Sequence, residues 1–190
     1  MIQEAVKWIF EPSHCKIGFS VRHFGITETE GWFSKFEGTI QSEEEDFSDA
    51  QVELSIDANS VDTHDAQRDG HLRSADFFNS EQFPTIHFQS TAMELAGDHQ
   101  YKMRGDLTMA GITKPVVLNV EFNGIIKRDP FGNTKAGFFV EGVINRKDWG
   151  INWNAVLDFG GLAVGETVRI KCHIELLKTL QEDAKSQEVL

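Results

Sequence analysis

Apolar and polar residues alternate with a period of two through most of this chain. That period sends successive side chains to opposite faces of a strand, one for an apolar core and one for water. Residues 15–22 set Cys15, Ile17, Phe19 and Val21 against Lys16, Gly18, Ser20 and Arg22. The inner faces of the next repeats are Val52, Leu54 and Ile56; Ile86, Phe88, Ser90 and Ala92; and Tyr101, Met103, Leu107 and Met109. Val116, Leu118, Val120 and Phe122 follow, then Phe138, Val140 and Ile144, and last Val168, Ile170, Cys172, Ile174 and Leu176. Over residues 30–40 the pattern puts Trp32, Phe36 and Ile40 inside and leaves Phe33 on the polar side.

About eight strands punctuated by turn signals predict an all-β antiparallel fold. These strands are too amphipathic for a parallel sheet buried on both faces. An open antiparallel sheet leaves two exposed edges, and closure removes them. An up-and-down barrel of about eight strands closes the sheet and can hold one small or slender ligand. A β-sandwich is the competing architecture. The long strands, and the breaks at Gly31 and Gly38 where a closing sheet must bend, favour the barrel.

One stretch interrupts the alternation. Residues 68–88, RDGHLRSADFFNSEQFPTIHF, begin with Arg68, Asp69, His71 and Arg73 and end on Phe77, Phe78, Phe83 and Pro84. Thr63 or Asp65 can cap a short helix there, and the three phenylalanines can pack it on a sheet end. Pro84 returns the chain to extended backbone. The prediction is a short helical insert acting as a lid or corner.

Charge narrows the partners. A net charge of -12 repels phosphates and argues against nucleic acid. The EEED run at residues 43–46 reads as a solvated hairpin loop. Fifteen Phe against one Tyr suit a large apolar interior or a lipid-filled cavity. The first residues carry charges rather than a signal pattern, and no run is apolar enough to span a bilayer. The expectation is a protein without an integral membrane segment, placed in the cytoplasm, or in the periplasm if its N-terminus is processed. Cys15 and Cys172 make no disulfide framework and read as buried free thiols.

The inner faces carry the functional signal. They gather Phe19, Trp32, Phe36, Phe88, Met103, Leu107, Met109, Phe122 and Phe138 as a candidate ligand-binding set. Such a set builds either an ordinary packed core or an elongated apolar pocket made adaptable by methionine. Arg22, His71 and Arg73 read either as a rim for a ligand head group or as part of an ion-pair and capping network. No catalytic constellation stands out: there is no GxSxG elbow, and His64, Asp65 and His71 lack a tight metal-ligand spacing. No metal, cofactor or catalytic residue is expected. Ser90, Tyr101 and Cys15 are the best candidates should the barrel be an enzyme acting on a lipid.

Several segments resemble a known family. They are WIFEPSHCKIGFSVRHFGI, GWFSKFEGTI, RDGHLRSADFFNSEQFPTIHFQST, GDLTMAGITKPVVLNVEFNG, DPFGNTKAGF, and INRKDWGINWN with GGLAVGETVRIKCHIEL. In order and spacing they are similar to the YceI-like family, also described as polyisoprenoid- or lipid-binding. The resemblance implies a lipocalin-like barrel with a helical insert, usually a homodimer. It also implies an apolar tunnel for a long amphipathic molecule such as an isoprenoid quinone, a polyprenol or a fatty-acid derivative. It transfers no catalytic residue. The expected organisation is one YceI-like domain over residues 1–178 and a polar tail over 179–190. The expected function is a non-enzymatic carrier or sequestering protein; the alternatives are a lipid-modifying enzyme and a filled barrel serving as an interaction module.

Overall fold

The computed structural model describes residues 5–179. The expected tail lies outside the described residues except for Thr179, whose hydroxyl donates to the Lys7 carbonyl at 2.8 Å. Eleven strands form one antiparallel sheet: β1 (Val6–Phe10), β2 (Lys16–His23), β3 (Thr27–Phe33), β4 (Phe36–Ser42), β5 (Gln51–Asp57), β6 (Val61–Asp62), β7 (Thr85–Gly97), β8 (Gln100–Met109), β9 (Ile112–Ile126), β10 (Lys135–Asn145) and β11 (Val164–Lys178). β1 pairs with both β4 and β11, so the sheet closes.

The eleven strands make eight staves. β1 and β2 both lie against β11 and form one stave broken at the 3-10 turn Pro12–His14. β3 and β4 form the second, with β3 paired to β2 and β6 and β4 paired to β1 and β5. β5 and β6 form the third, broken at Ala58–Ser60. The breaks are stitched together: Ser34 N–H donates to the Ser60 carbonyl at 3.2 Å and Asp57 N–H to the Lys35 carbonyl at 2.9 Å. The remaining five staves, β7 to β11, follow up and down in sequence order.

The break at Ser34 and Lys35 corrects the expected face of the second stave. Phe33 is buried and faces the interior, whereas Trp32 lies on the outer surface. There the Lys16 ammonium sits 4.6 Å from the Trp32 ring, and the His64 ring meets it edge-on at 4.5 Å. The uninterrupted strand expected over residues 30–40 would have carried one parity through both aromatics. The break resets it, so Phe33 and Phe36 are both inward although three residues apart. A bulge between Ser90 and Ala92 does the same in β7. It turns Met93 inward in place of Ala92, and Ser90 Oγ accepts from Val52 N–H at 2.8 Å on the neighbouring strand.

The insert folds as expected. Helix α1 (Ala66–Arg73) starts at Asp65, whose carboxylate accepts from Arg68 N–H at 2.9 Å. Buried Asp69 accepts from the Thr63 N–H (2.9 Å) and hydroxyl (2.6 Å). Arg68 donates to the Thr63 hydroxyl and carbonyl, each at 2.7 Å. These bonds fix the helix to β6 rather than leaving charges aimed at a ligand. Leu72, Phe77 and Phe78 pack against the core from this end. Among the described residues no helix is long and apolar enough to cross a membrane.

Candidate functional site

The inward faces do not fill the barrel. A cavity of about 190 Å³ runs inside it, and every side chain on its wall is apolar or a thiol. Phe19, Phe88, Met103, Leu107, Met109 and Phe138 line it, as the alternation predicts. Phe36 and Phe122 are inward but not on the wall. Phe36 packs edge-on against Phe10 at 6.0 Å, and Phe122 stacks on Phe138 at 5.1 Å. Trp32, being outside, takes no part.

Glycine keeps the space open. A Cβ on Gly105 would lie 2.4 Å from the Phe88 ring, and one on Gly31 would lie 2.6 Å from Phe19. Both rings therefore occupy the room of a missing side chain against the wall instead of projecting across the axis. Gly31 and Gly105 serve the cavity by having no side chain, a role distinct from bending the sheet.

One end is closed by a residue that pattern reading passes over. The β4–β5 loop keeps Glu43 to Asp46 exposed, as expected of a solvated loop, but turns Phe47 into the barrel. Phe47 has φ +62, a left-handed conformation costly for a bulky residue. It is held by an aromatic nest: Trp8 at 5.1 Å, Phe122 at 5.4 Å and Phe138 at 4.9 Å. Asp49 anchors the loop by accepting from the Ser42 hydroxyl and from the Glu43 and Glu44 N–H groups at 2.7 and 3.3 Å. Burial pushes its carboxyl up, but these bonds outweigh that and hold it below its ordinary value. The Tyr101 hydroxyl donates to the Asp46 carbonyl at 2.8 Å and ties the loop to β8.

The opposite end is closed by the insert. Phe78 reaches the cavity wall and meets Phe33 at 5.6 Å. His71 Nε2 pairs with Asp76 at 2.8 Å, and its ring stands edge-on to Phe77 and Trp153. Arg73 donates to the Asn59 carbonyl at 3.5 Å, and exposed Arg22 to the Gly25 carbonyl at 3.4 Å. The three proposed head-group residues are thus not brought together, and none lines the cavity. Sequence reading also missed Arg146. It is buried, and it donates to the carbonyls of Ile151 and Gly165 at 2.8 Å and of Val164 at 3.3 Å. Burial lowers its pKa from the usual arginine value. Trp149 is buried beside it and donates to the Leu107 carbonyl at 3.0 Å.

Ser90, Tyr101 and Cys15 are each engaged in hydrogen bonds, Ser90 with Val52 N–H, Tyr101 with the Asp46 carbonyl and Cys15 with the Glu175 backbone. The Tyr101 hydroxyl is raised by burial and by the nearby charges of Asp46 and Asp98. Cys15 exchanges two bonds with the Glu175 backbone, at 3.2 and 3.3 Å. Cys172 is on the cavity wall as a free thiol, pushed up to about 11 by burial. A thiol so far from ionisation is a poor nucleophile at neutral pH.

The YceI-like domain family model matches residues 8–176. A UPF0312 protein of Staphylococcus aureus is 33% identical over 166 residues, covering 87% of this chain and 94% of that protein. Burkholderia cenocepacia BcnA superposes with a TM-score of 0.73 at 22% identity, covering 87% of this chain and 98% of its own. A polyisoprenoid-binding domain from Saccharophagus degradans superposes with a TM-score of 0.68 at 12% identity, covering 92% and 99%.

Proposed function

The chain belongs to the YceI-like domain family, and from that premise we propose that it is a non-enzymatic carrier or sequestering protein for a long-chain amphipathic lipid. An isoprenoid quinone, a polyprenol and a fatty-acid derivative are the candidate ligands. One observation carries the reading: a cavity of about 190 Å³ on the barrel axis whose wall offers hydrocarbon, thioether and one protonated thiol, with no charge and no hydroxyl. Such a wall gains from burying methylenes, at about 0.8 kcal/mol each before ordering costs. It offers a substrate no general acid or base.

The volume adds a condition. A cavity near 150 Å³ suffices for benzene, whereas drug-sized ligands occupy about 300–1,000 Å³. A long chain therefore enters only as the wall adapts. Met93, Met103 and Met109 can repack around it, and Phe47 and Phe78 stand at the two ends of its path.

Native mass spectrometry of the purified protein, with organic extraction of anything bound, tests the reading. A stoichiometric long-chain lipid is the expected result. Protein that is empty and also refuses a panel of quinones, polyprenols and fatty acids would sink it in favour of a filled barrel with an interaction role. Phe19→Asp should abolish uptake while a variant on the outer face, Trp32→Asp, leaves it unchanged.

A further inference from the structure

At the insert end, two connections stand side by side. The Phe24 N–H of the β2–β3 turn donates to the Ala163 carbonyl of the β10–β11 connection at 2.9 Å. Between them they expose five apolar side chains: Phe24 at 43%, Ile26 at 82%, Val156 at 79%, Phe159 at 82% and Leu162 at 44%. The β10–β11 tip is a built hairpin. Val156 and Leu162 form a bridge, Leu157 N–H donates to the Gly161 carbonyl at 3.0 Å and Gly160 N–H to the Leu157 carbonyl at 2.9 Å. Arg146, donating to carbonyls on both sides of it, fixes its base. The fold thus spends ordered structure on holding apolar side chains in water.

Charge is withdrawn from the same place. A quarter of the chain is charged, but Asp158 is the one charged residue between Trp149 and Gly165, and residues 24–27 have none. Behind the tips Lys147 pairs with Glu166 at 2.7 Å and Arg169 with Glu28 at 3.8 Å, and Arg22 folds back onto the Gly25 carbonyl at 3.4 Å. The barrel's other end also exposes Leu95, Ile126 and Phe131, but sets them among Glu43 to Asp46, Lys127, Arg128 and Asp129. An exposed apolar patch on an otherwise highly charged molecule marks an interaction site. Side chains four-fifths exposed stand clear of their neighbours, so a rigid partner would need a matching groove for each tip. A fluid layer needs none. Apolar and aromatic side chains at the edge of a polar body seat about 5–10 Å into the boundary of a bilayer. With a net charge of -12, an anionic surface is disfavoured and a neutral one fits.

We propose that the barrel docks by these two tips on an electrically neutral phospholipid bilayer. The purpose of docking, collection or delivery of a lipid, rests on the carrier reading; the docking itself does not. The tips also adjoin the closed end of the cavity. Trp153, in the same connection, packs against Phe77 at 5.5 Å, and the next residue, Phe78, is on the cavity wall. Docking therefore sets the insert against the membrane.

The test is flotation of the full chain with phosphatidylcholine vesicles, comparing the wild type with V156S/F159S and with Leu95→Ser, an equally exposed apolar residue at the far end. The wild type and Leu95→Ser should float, and V156S/F159S should bind at least tenfold more weakly with an unchanged melting temperature. A wild type that stays with the soluble fraction overturns the proposal, as does a double variant that floats normally. So does a double variant that turns a dimer into a monomer without altering flotation, since the tips would then cover a second copy of the chain. Uptake of lipid dispersed in detergent, measured on the same two proteins, separates the two ideas. Absence of uptake in both sinks the carrier reading alone, and absence of flotation in the wild type sinks the docking alone.

Discussion

At one end of the barrel a single ring on a short acidic loop does the closing; at the other, a helix, two phenylalanines and two tryptophans share the task. Phe47 sits in three aromatic contacts but on a backbone in a costly conformation. Phe78 is only partly buried, yet the helix behind it is pinned by Asp65, Asp69 and Arg68. The Phe47 end thus combines deep apolar burial with the Asp49 and Tyr101 hydrogen bonds, and the insert end sets polar bonds around modest burial. Burial is lost all at once when a side chain is cut back. A hydrogen-bonded frame lets one ring swing while the rest stays put. On the proposed carrier reading, the difference predicts that the acidic end carries stability and that ligand passes at the insert end.

Phe47→Ala tests the first half most directly. Truncating a buried phenylalanine costs about 3–5 kcal/mol, which for a chain of this size is a fall of roughly 6–20 °C in melting temperature. Phe78→Ala, from a half-buried site, should cost roughly half as much but speed lipid exchange more than Phe47→Ala does. Stopped-flow release of a fluorescent fatty acid would show it. Faster release from Phe47→Ala than from Phe78→Ala would reverse the assignment of the two ends.

Arg146→Leu sharpens the insert side. It removes a buried cation and strands three carbonyls, at a cost of about 2–3 kcal/mol. Because those carbonyls flank the β10–β11 connection at both sides of its base, vesicle flotation should fall in a variant that still binds dispersed lipid. Gly105→Ala bears on the space between the ends. The new Cβ would meet the Phe88 ring at 2.4 Å and the Gln89 carbonyl at 2.6 Å, so the ring must swing off the wall into the cavity and the strand must shift, at about 1–3 kcal/mol for overpacking. Lipid uptake should drop at least tenfold, and unchanged uptake would mean that the cavity is not where lipid binds.

Closed all-β architecture was legible because strict alternation on β8, β9 and β11 leaves no doubt about which side is apolar. Met103, Leu107 and Met109 were correctly placed on that basis alone. Trp32 and Phe33 were not, because two adjacent aromatics satisfy either parity, and the break at Ser34 and Lys35 that decides between them has no strong turn residue. Met93 was missed because a bulge resets the parity of β7. Phe47 was hidden by its setting, a lone apolar residue between Asp46 and Ser48. That isolation was its only signal. Arg22, His71 and Arg73 read in sequence either as a binding rim or as an ion-pair and capping network. Which charges cap a helix and which meet a ligand depends on neighbours that are distant in sequence, as with Arg73 and Asn59.

The smallest expected effect concerns acid. Asp49 is pushed up by burial and held down, on balance, by the Ser42 hydroxyl and two backbone N–H groups. A carboxyl depressed in the folded state adds stability that is present above its unfolded value, near 3.9, and is lost as pH falls through the folded value. Loosening of the Phe47 loop should therefore begin below about pH 4. Asp65 at the insert end is also depressed, chiefly by the Arg68 N–H, so acid alone does not discriminate between the ends. Asp49→Asn does. It removes the titrating group from one end, so its melting temperature should start slightly lower at pH 6 and fall less than that of the wild type between pH 6 and pH 3. Parallel curves for the two proteins would mean that the Asp49 bonds do not hold the loop, leaving Phe47 fixed by its aromatic nest alone.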